Sequence, residues 1–324
     1  MKISVIGVGA YSIGIALMLA KKKENKIVLW SENINTVNEF KRSKKVKNIF
    51  DIELPENIDI TNDFQECLKN SELIFLITSA KYIIDICENI APFYTGVPIC
   101  IASKGIEHTT LSLLSKLVKE KLHTNNVSVI SGPTFAIDLV NNEPAALAIA
   151  GYNKKCVKIV KENLANETLK LRETSDIIGI QLCGSVKNIV AIAAGILKGL
   201  GYSESTQAFL INESLHDMKE IIHALGGDKK TILSFAGIGD LLLTCSSTKS
   251  RNYSFGYVIG STKDKEEIKK YLENNTVEGY YTLNSISKLL TKKGINIPLI
   301  TLINNIVVNN QDPNDLASFL INKE

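Results

Sequence analysis

The first 22 residues constrain the fold more tightly than any other stretch of the chain. Lys2–Ile6 is a short, β-branched run, Gly7-Val-Gly9 breaks it sharply, and Ala10 to Lys22 carries apolar residues on every side. This is how a parallel sheet begins: a strand, a glycine turn, and a helix packed between the sheet and the rest of the protein. The same residues are uncharged from Ile3 to Ala20 and flanked by Lys2 and Lys21-Lys22-Lys23, so they also invite comparison with a signal peptide or a short membrane span. Three glycines, two serines and a tyrosine make a poor span, and the run ends in lysines instead of a small-residue cleavage pattern. The strand–turn–helix reading uses every residue.

Further apolar runs at Lys26–Trp30, Leu73–Ile77, Pro98–Ala102, Val127–Ile130 and Ala146–Ala150 are separated mostly by polar stretches of helical length. Strands alternating with helices predict an α/β fold, a Rossmann-like, doubly wound and mostly parallel sheet. After about residue 175 the texture changes. Thr174-Ser175-Asp176 reads as a helix start, and helices are predicted over Ile177–Leu200, Asn212–Leu225, Ile232–Leu243, Arg251–Ile259, Lys265–Asn274, Thr282–Lys292 and Pro298–Val308. Since 324 residues are long for one core, the expected organisation is a dinucleotide-binding domain over 1–174 and an all-α substrate and catalytic domain over 175–324. A net charge of +3 gives no argument for a nucleic-acid partner or for membrane insertion. The six scattered cysteines form no CxxC pair and read as reduced thiols of a cytoplasmic protein.

Gly7 and Gly9, with Ala10 and Tyr11 opening the helix, stand where a dinucleotide pyrophosphate docks against helix-terminal amides; the alternative is a tight turn with no ligand. The usual third glycine is replaced by Ser12, and Gly14 is expected to give close helix–strand packing in its stead. Glu32, at the end of the second strand, suits the adenosine ribose hydroxyls and favours NAD, unless it is merely a surface acid. Against it stands the basic run Lys41, Arg42, Lys44, Lys45 and Lys47, a member of which could reach the 2′-phosphate of NADP. The cofactor is therefore NAD or NADP, with a slight lean to NAD.

Five further stretches occur in a definite order: Ala102-Ser-Lys-Gly-Ile-Glu107, Ile130-Ser-Gly-Pro-Thr-Phe-Ala136, Val186-Lys-Asn188, Gly237-Ile-Gly-Asp-Leu-Leu-Leu-Thr-Cys245 with Ser250-Arg-Asn252, and Val277-Glu-Gly279. Together they resemble the bacterial NAD(P)-dependent glycerol-3-phosphate dehydrogenases, from the first strand to about residue 300. Ser12 and Ala80 depart from the family, which usually has glycine and often histidine there. The resemblance implies interconversion of dihydroxyacetone phosphate and sn-glycerol 3-phosphate, flow towards phospholipid precursors, and a soluble homodimer. It implies proton transfer by Lys187, with Lys104 in the same cleft, substrate contacts from Gly132 and Thr134, and cofactor contacts from Lys104, Ala136, Arg251 and Glu278.

The chemistry asks for such residues in its own right. Hydride reduction of a ketone makes an alkoxide, which needs a proton donor. Lys187 can serve if its pKa falls below the ordinary ~10.4, and burial and the Lys104 cation would lower it while Asp240 would raise it. The apolar neighbours Ile189, Val190, Ala191 and Ile192 argue for a buried lysine instead of a solvated helix lysine. Ser250, Arg251 and Asn252 read as a helix N-terminus able to grip the substrate phosphate, or else as an ordinary capped surface helix. His216 and His223, with Asp217 and Glu220 nearby, lack HExxH spacing, so no metal is expected. Cys183 and Cys245 read as packing residues. Two alternatives remain: another two-domain hydroxyacid dehydrogenase, which would not need the phosphate cradle, and a nucleotide-binding regulator without activity, against which Lys104, Lys187 and Asp240 argue.

Overall fold

The computed structural model describes residues 1–46, 49–262 and 264–323. Two compact units divide the chain: Met1–Ser103 with Leu114–Ile177, and Lys104–Leu113 with Ile178–Glu324.

The first unit holds strands β1 (Lys2–Ile6), β2 (Lys26–Trp30), β3 (Lys45–Val46), β4 (Phe50–Glu53), β5 (Ile58–Thr61), β6 (Leu73–Leu76), β7 (Ile99–Ile101), β8 (Val127–Ser131), β9 (Ala145–Gly151) and β10 (Leu169–Glu173). Its helices are α1 (Ala10–Ala20), α2 (Ile34–Ser43), α3 (Phe64–Leu68), α4 (Ile83–Ile90), α5 (Leu114–Lys121), α6 (Ala136–Val140) and α7 (Lys154–Leu164). Eight strands form one sheet in the order β10-β9-β8-β7-β6-β1-β2-β5, parallel at every pairing except β8–β9. Chain order reverses at β1, so the β1–α1 turn lies at the switch point where parallel sheets bind ligands. The expected doubly wound sheet is present. The short β3–β4 ribbon, β5 and β10 carry polar residues on alternate positions and were not foreseen.

The second unit is helical: α8 (Ile177–Gly199), α9 (Glu204–Ala224), α10 (Asp240–Cys245), α11 (Arg251–Ser261), α12 (Lys265–Asn274), α13 (Glu278–Lys292), α14 (Pro298–Asn309) and α15 (Asp315–Asn322). The helix predicted over Ile232–Leu243 is broken into a 3-10 turn (Lys229–Leu233), a π turn (Phe235–Gly239) and α10, because the backbone at Gly237 leaves helical geometry with ψ −110°. The helix predicted from Asn212 starts eight residues earlier, at Glu204.

Glycine sets the spacing of the two helices that matter most. A Cβ placed on Gly195 or Gly199 of α8 would stand 2.0 or 2.4 Å from the carbonyl oxygens of Tyr253 and Tyr257 on α11. Conversely, a Cβ on Gly256 or Gly260 of α11 would stand 1.9 or 2.2 Å from the carbonyl oxygens of Ile192 and Ile196 on α8. The two helices therefore cross backbone on backbone, which only glycine at all four positions permits. Lys187 and Arg251 lie N-terminal to this crossing on their respective helices.

Candidate active site

Lys187 faces inward from α8 and is only 5% exposed. A lysine so deeply buried must find partners, since an isolated ammonium in an apolar interior is unstable. Its Nζ donates to Asp240 Oδ1 at 2.5 Å and to the Thr244 hydroxyl at 2.7 Å, and that hydroxyl donates in turn to the Asp240 carbonyl at 2.6 Å. Asp240, 1% exposed, opens α10 directly after the π turn, and its second oxygen accepts from Lys104 Nζ at 2.9 Å. One carboxylate thus bridges two amines. Burial pushes the Lys187 amine down, the Lys104 cation adds to that, and the opposing pull of Asp240 does not overcome them, leaving the group at about 8. The competition left open by sequence is decided by burial.

The Lys104 amine arrives on the Lys104–Leu113 loop, which is anchored to α8 where the Gly105 N–H donates to Ser185 Oγ at 3.1 Å. Ser185 and Thr244 were not singled out as site residues. A small hydroxyl residue one or two positions from a motif lysine, or one turn after a motif aspartate, was the available signal.

Three of the sequence motifs meet at Gly279. Its N–H donates to Asn252 Oδ1 at 2.8 Å, while a Cβ there would lie 2.7 Å from the Asn188 carbonyl oxygen. Asn188 Nδ2 reaches Glu278 Oε2 at 3.5 Å. The residues following Lys187 and Arg251 are therefore pinned to the start of α13. Arg251 is the exposed first residue of α11, whose first turn carries no acidic side chain, as a phosphate site requires. Ser250 is buried and uses its hydroxyl oxygen to cap the Tyr253 N–H at 3.3 Å, and Asn252 directs its oxygen to α13. Both make structural bonds beside whatever they offer a ligand.

In the first unit, Gly7 has φ +119°, a region open to glycine, and a Cβ on it would sit 2.5 Å from the Ile77 carbonyl. Gly9, the N-cap of α1, has open space on its Cβ side, and no side chain caps the helix. Gly9 and Ala10 are exposed at a helix N-terminus that has no side-chain cap and no acidic residue in its first turn. These residues fit a pyrophosphate. Ser12 is buried and donates to the Ile77 carbonyl at 3.3 Å, which accounts for a hydroxyl where glycine is usual. Gly14 gives close packing against α6, with Leu139 and Ala136 3.2 Å from a Cβ, and not against a strand as anticipated. The Tyr11 and Thr134 hydroxyls pair at 3.0 Å, joining the α1 turn to the Gly132–Ala136 segment, where Gly132 also clears the β9 backbone.

Glu32 is exposed just past β2. Members of the basic run are engaged locally: Arg42 Nε donates to the Asn38 carbonyl, Lys44 lies over the Phe40 ring, and Lys45 pairs with Asp51. Lys47 lies outside the described residues. His216 and His223 are exposed, Asp217 pairs with Lys323, and Glu220 pairs with Lys229. Among the described residues no group of three or more His, Cys, Asp or Glu could hold a metal ion. All six cysteines are buried and none is in a disulfide.

Comparison with known proteins gives a consistent picture. The family models for the N-terminus and the C-terminus of NAD-dependent glycerol-3-phosphate dehydrogenase match residues 2–157 and 176–318. The chain is 34% identical to a glycerol-3-phosphate dehydrogenase (NAD(P)+) of Thermoanaerobacter sp. (strain X514), over 100% of this chain and 98% of the relative. A crystal structure of glycerol-3-phosphate dehydrogenase from Coxiella burnetii superposes with a TM-score of 0.94 at 30% identity, covering 99% of each chain. A ketopantoate reductase family protein from Ralstonia eutropha, at 11% identity and TM-score 0.65 over 99% of this chain and 100% of that one, shares the fold alone.

Proposed function

The chain belongs to the NAD-dependent glycerol-3-phosphate dehydrogenase family, and from that premise we propose how its own residues divide the work of interconverting dihydroxyacetone phosphate and sn-glycerol 3-phosphate. When bound, NAD(P)(H) supplies or accepts the hydride at the substrate carbon. Gly7, Gly9, Ala10 and Tyr11 would hold its pyrophosphate, with Glu32, Lys104, Ala136, Arg251 and Glu278 as further cofactor contacts. Lys187, as ammonium, gives its proton to the substrate oxygen in reduction; as free amine, it takes the hydroxyl proton in oxidation. Asp240 holds that amine in place on one side and Lys104 on the other. Lys104 also polarises the substrate, and Gly132 and Thr134 line it. The Arg251 guanidinium, with Ser250 and Asn252 at the α11 N-terminus, grips the phosphate. The buried Lys187 amine, bonded to a buried Asp240 carboxylate that also binds Lys104, is the observation that carries this reading.

Exposed Glu32 supports NAD over NADP, and of the basic run Arg42, Lys44 and Lys45 are engaged locally. The enzyme works in the cytoplasm as a homodimer and feeds glycerol 3-phosphate to phospholipid synthesis.

The phosphate assignment is tested by offering dihydroxyacetone phosphate and unphosphorylated dihydroxyacetone to the wild type and to Arg251→Ala. Loss of a charge-assisted bond, about 1.5–3 kcal/mol, should lower kcat/KM for the phosphorylated substrate about 10- to 100-fold. The unphosphorylated substrate should be equally poor for both proteins. Equal kcat/KM of the two proteins on dihydroxyacetone phosphate would move the phosphate elsewhere.

A further inference from the structure

Glu107 carries a buried charge that the chemistry above leaves unused. It is 1% exposed and lies in the Lys104–Leu113 loop. Its Oε1 accepts from the Thr109 N–H at 2.9 Å and stands 3.1 Å from His108 Nδ1; its Oε2 accepts from the Thr110 N–H at 2.6 Å and the Thr110 hydroxyl at 2.7 Å. These partners are all within three residues, so the carboxylate holds the shape of its own loop instead of tying the loop to distant elements. The Glu107 N–H closes the loop onto the Ser112 carbonyl at 3.1 Å, and Ile106 bridges to Leu113. Two bonds then attach this preformed loop to the reaction centre: Gly105 N–H to Ser185 Oγ, two residues before Lys187, and Lys104 Nζ to Asp240 Oδ2. A loop without its internal bonds would have to be ordered anew to bring Lys104 there, against its chain entropy.

We propose that Glu107 is a positioning residue, whose carboxylate fixes the Lys104 loop and thereby sets how strongly the Lys104 ammonium acts on Lys187. The inference rests on the reading of Lys187 as the proton-transfer group. Among the described residues, the titratable groups facing Lys187 are Asp240, Lys104 and the buried Cys245 thiol, which burial pushes up; the one facing Glu107 is His108, 62% exposed. Displacing Lys104 removes a like charge from beside Lys187, so the Lys187 pKa must rise.

The test is the pH profile of kcat/KM for dihydroxyacetone phosphate reduction, measured on the full chain with its nicotinamide cofactor. Lys104→Ala should move the alkaline limb up by about one pH unit. Glu107→Ala should move it most of that distance, Glu107→Gln less, because one acceptor oxygen remains, and Thr110→Val, which loses only a hydroxyl donor, by a fraction. Lys104→Ala with Glu107→Ala should move it no further than Lys104→Ala alone. A carboxylate that merely stabilises the fold would lower Tm and leave the limb where it is. The proposal is overturned by an unmoved limb in Glu107→Ala (or in Thr110→Val, if Glu107→Ala does not fold) while Lys104→Ala shifts it. It is equally overturned if Lys104→Ala leaves the limb in place. A wild-type profile with no limb that disappears in Lys187→Ala points instead to failure of the underlying reading of Lys187, and takes this inference with it.

Discussion

Gly9 in the α/β unit and the crossing glycines of the helical unit serve opposite ends. In the α/β unit, Gly9 faces open space at the head of α1, so glycine there makes room for something that is not protein. In the helical unit, Gly195, Gly199, Gly256 and Gly260 remove room, bringing two helix backbones to a separation no side chain allows. The first arrangement would present backbone amides to the proposed nucleotide. The second brings together the side chains near the N-terminal ends of the crossing helices, with Asn188 and Asn252 both meeting the start of α13. On the proposed reading, binding by backbone can accommodate Ser12 in place of glycine, whereas the helical unit relies on a crossing with no room for a Cβ.

If the helical unit is where side-chain chemistry resides, its largest single loss should be Lys187→Ala. Removing a general acid–base group should lower turnover by about 10²–10⁴. The pH dependence sharpens the point. Burial and Lys104 hold Lys187 at about 8, below its ordinary 10.5, so it is an ammonium below about 8 and an amine above. Reduction, which consumes the ammonium, should be level below pH 8 and fall above it. Oxidation, which needs the amine, should fall as the pH drops below 8. Between about 8 and 10.5 the folded state binds fewer protons than the unfolded chain, so the group's contribution to stability rises with pH through that window. Reduction that stays level to pH 10 would remove Lys187 from the proton-transfer step.

The contrast between glycines can be broken directly by adding one methyl group to each. Gly256→Ala would place a carbon 1.9 Å from the Ile192 carbonyl oxygen and force α8 and α11 apart. Overpacking of this kind should cost about 3 kcal/mol, with Tm falling roughly 2–4 °C per kcal/mol. Gly9→Ala meets no protein atom within 4 Å, so it should change stability by no more than about 1 kcal/mol while weakening nucleotide binding. Equal losses of Tm in the two variants would mean that the glycines are not doing different jobs.

That difference also explains what could be read from the sequence. The α1 turn was legible because strand, glycines and apolar helix are contiguous. The helix Ile177–Gly199 is apolar and long enough to span a membrane, yet 94% of its most apolar stretch is buried inside the protein, as the small and apolar neighbours of Lys187 suggested. Lys104, Lys187 and Asp240 were identified and do meet. Ser185 and Thr244 were missed because their roles are to orient other groups, which only three-dimensional proximity reveals. The four-glycine crossing is written in the sequence as Gly-x-x-x-Gly at 195–199 and again at 256–260, a spacing that shows which helix face is bare but not which helix it meets. The break at Gly237 was hidden because its periodicity is helical on both sides, and the turn arises from local backbone geometry.

The smallest expected effect lies back in the α/β unit, at the edge where side chains supplement the backbone. Glu32 is exposed after β2, where the adenosine ribose of a bound dinucleotide would lie. A carboxylate there accepts from ribose hydroxyls and repels a 2′-phosphate, so its contribution is a difference between two cofactors more than an affinity for either. Glu32→Ala should therefore shift the NAD/NADP ratio of kcat/KM towards NADP by about tenfold, the scale of one solvent-exposed bond and its lost repulsion. Turnover with saturating cofactor should hold, since the carboxylate is proposed to act on the ribose and not on the proton transferred by Lys187. Arg42, Lys44 and Lys45 are engaged within their own segment, and the shift should come mainly from relief of repulsion. High salt should then shrink the wild-type preference more than that of the variant. An unchanged cofactor ratio in Glu32→Ala, at low and high salt alike, would show that this unit discriminates by backbone alone.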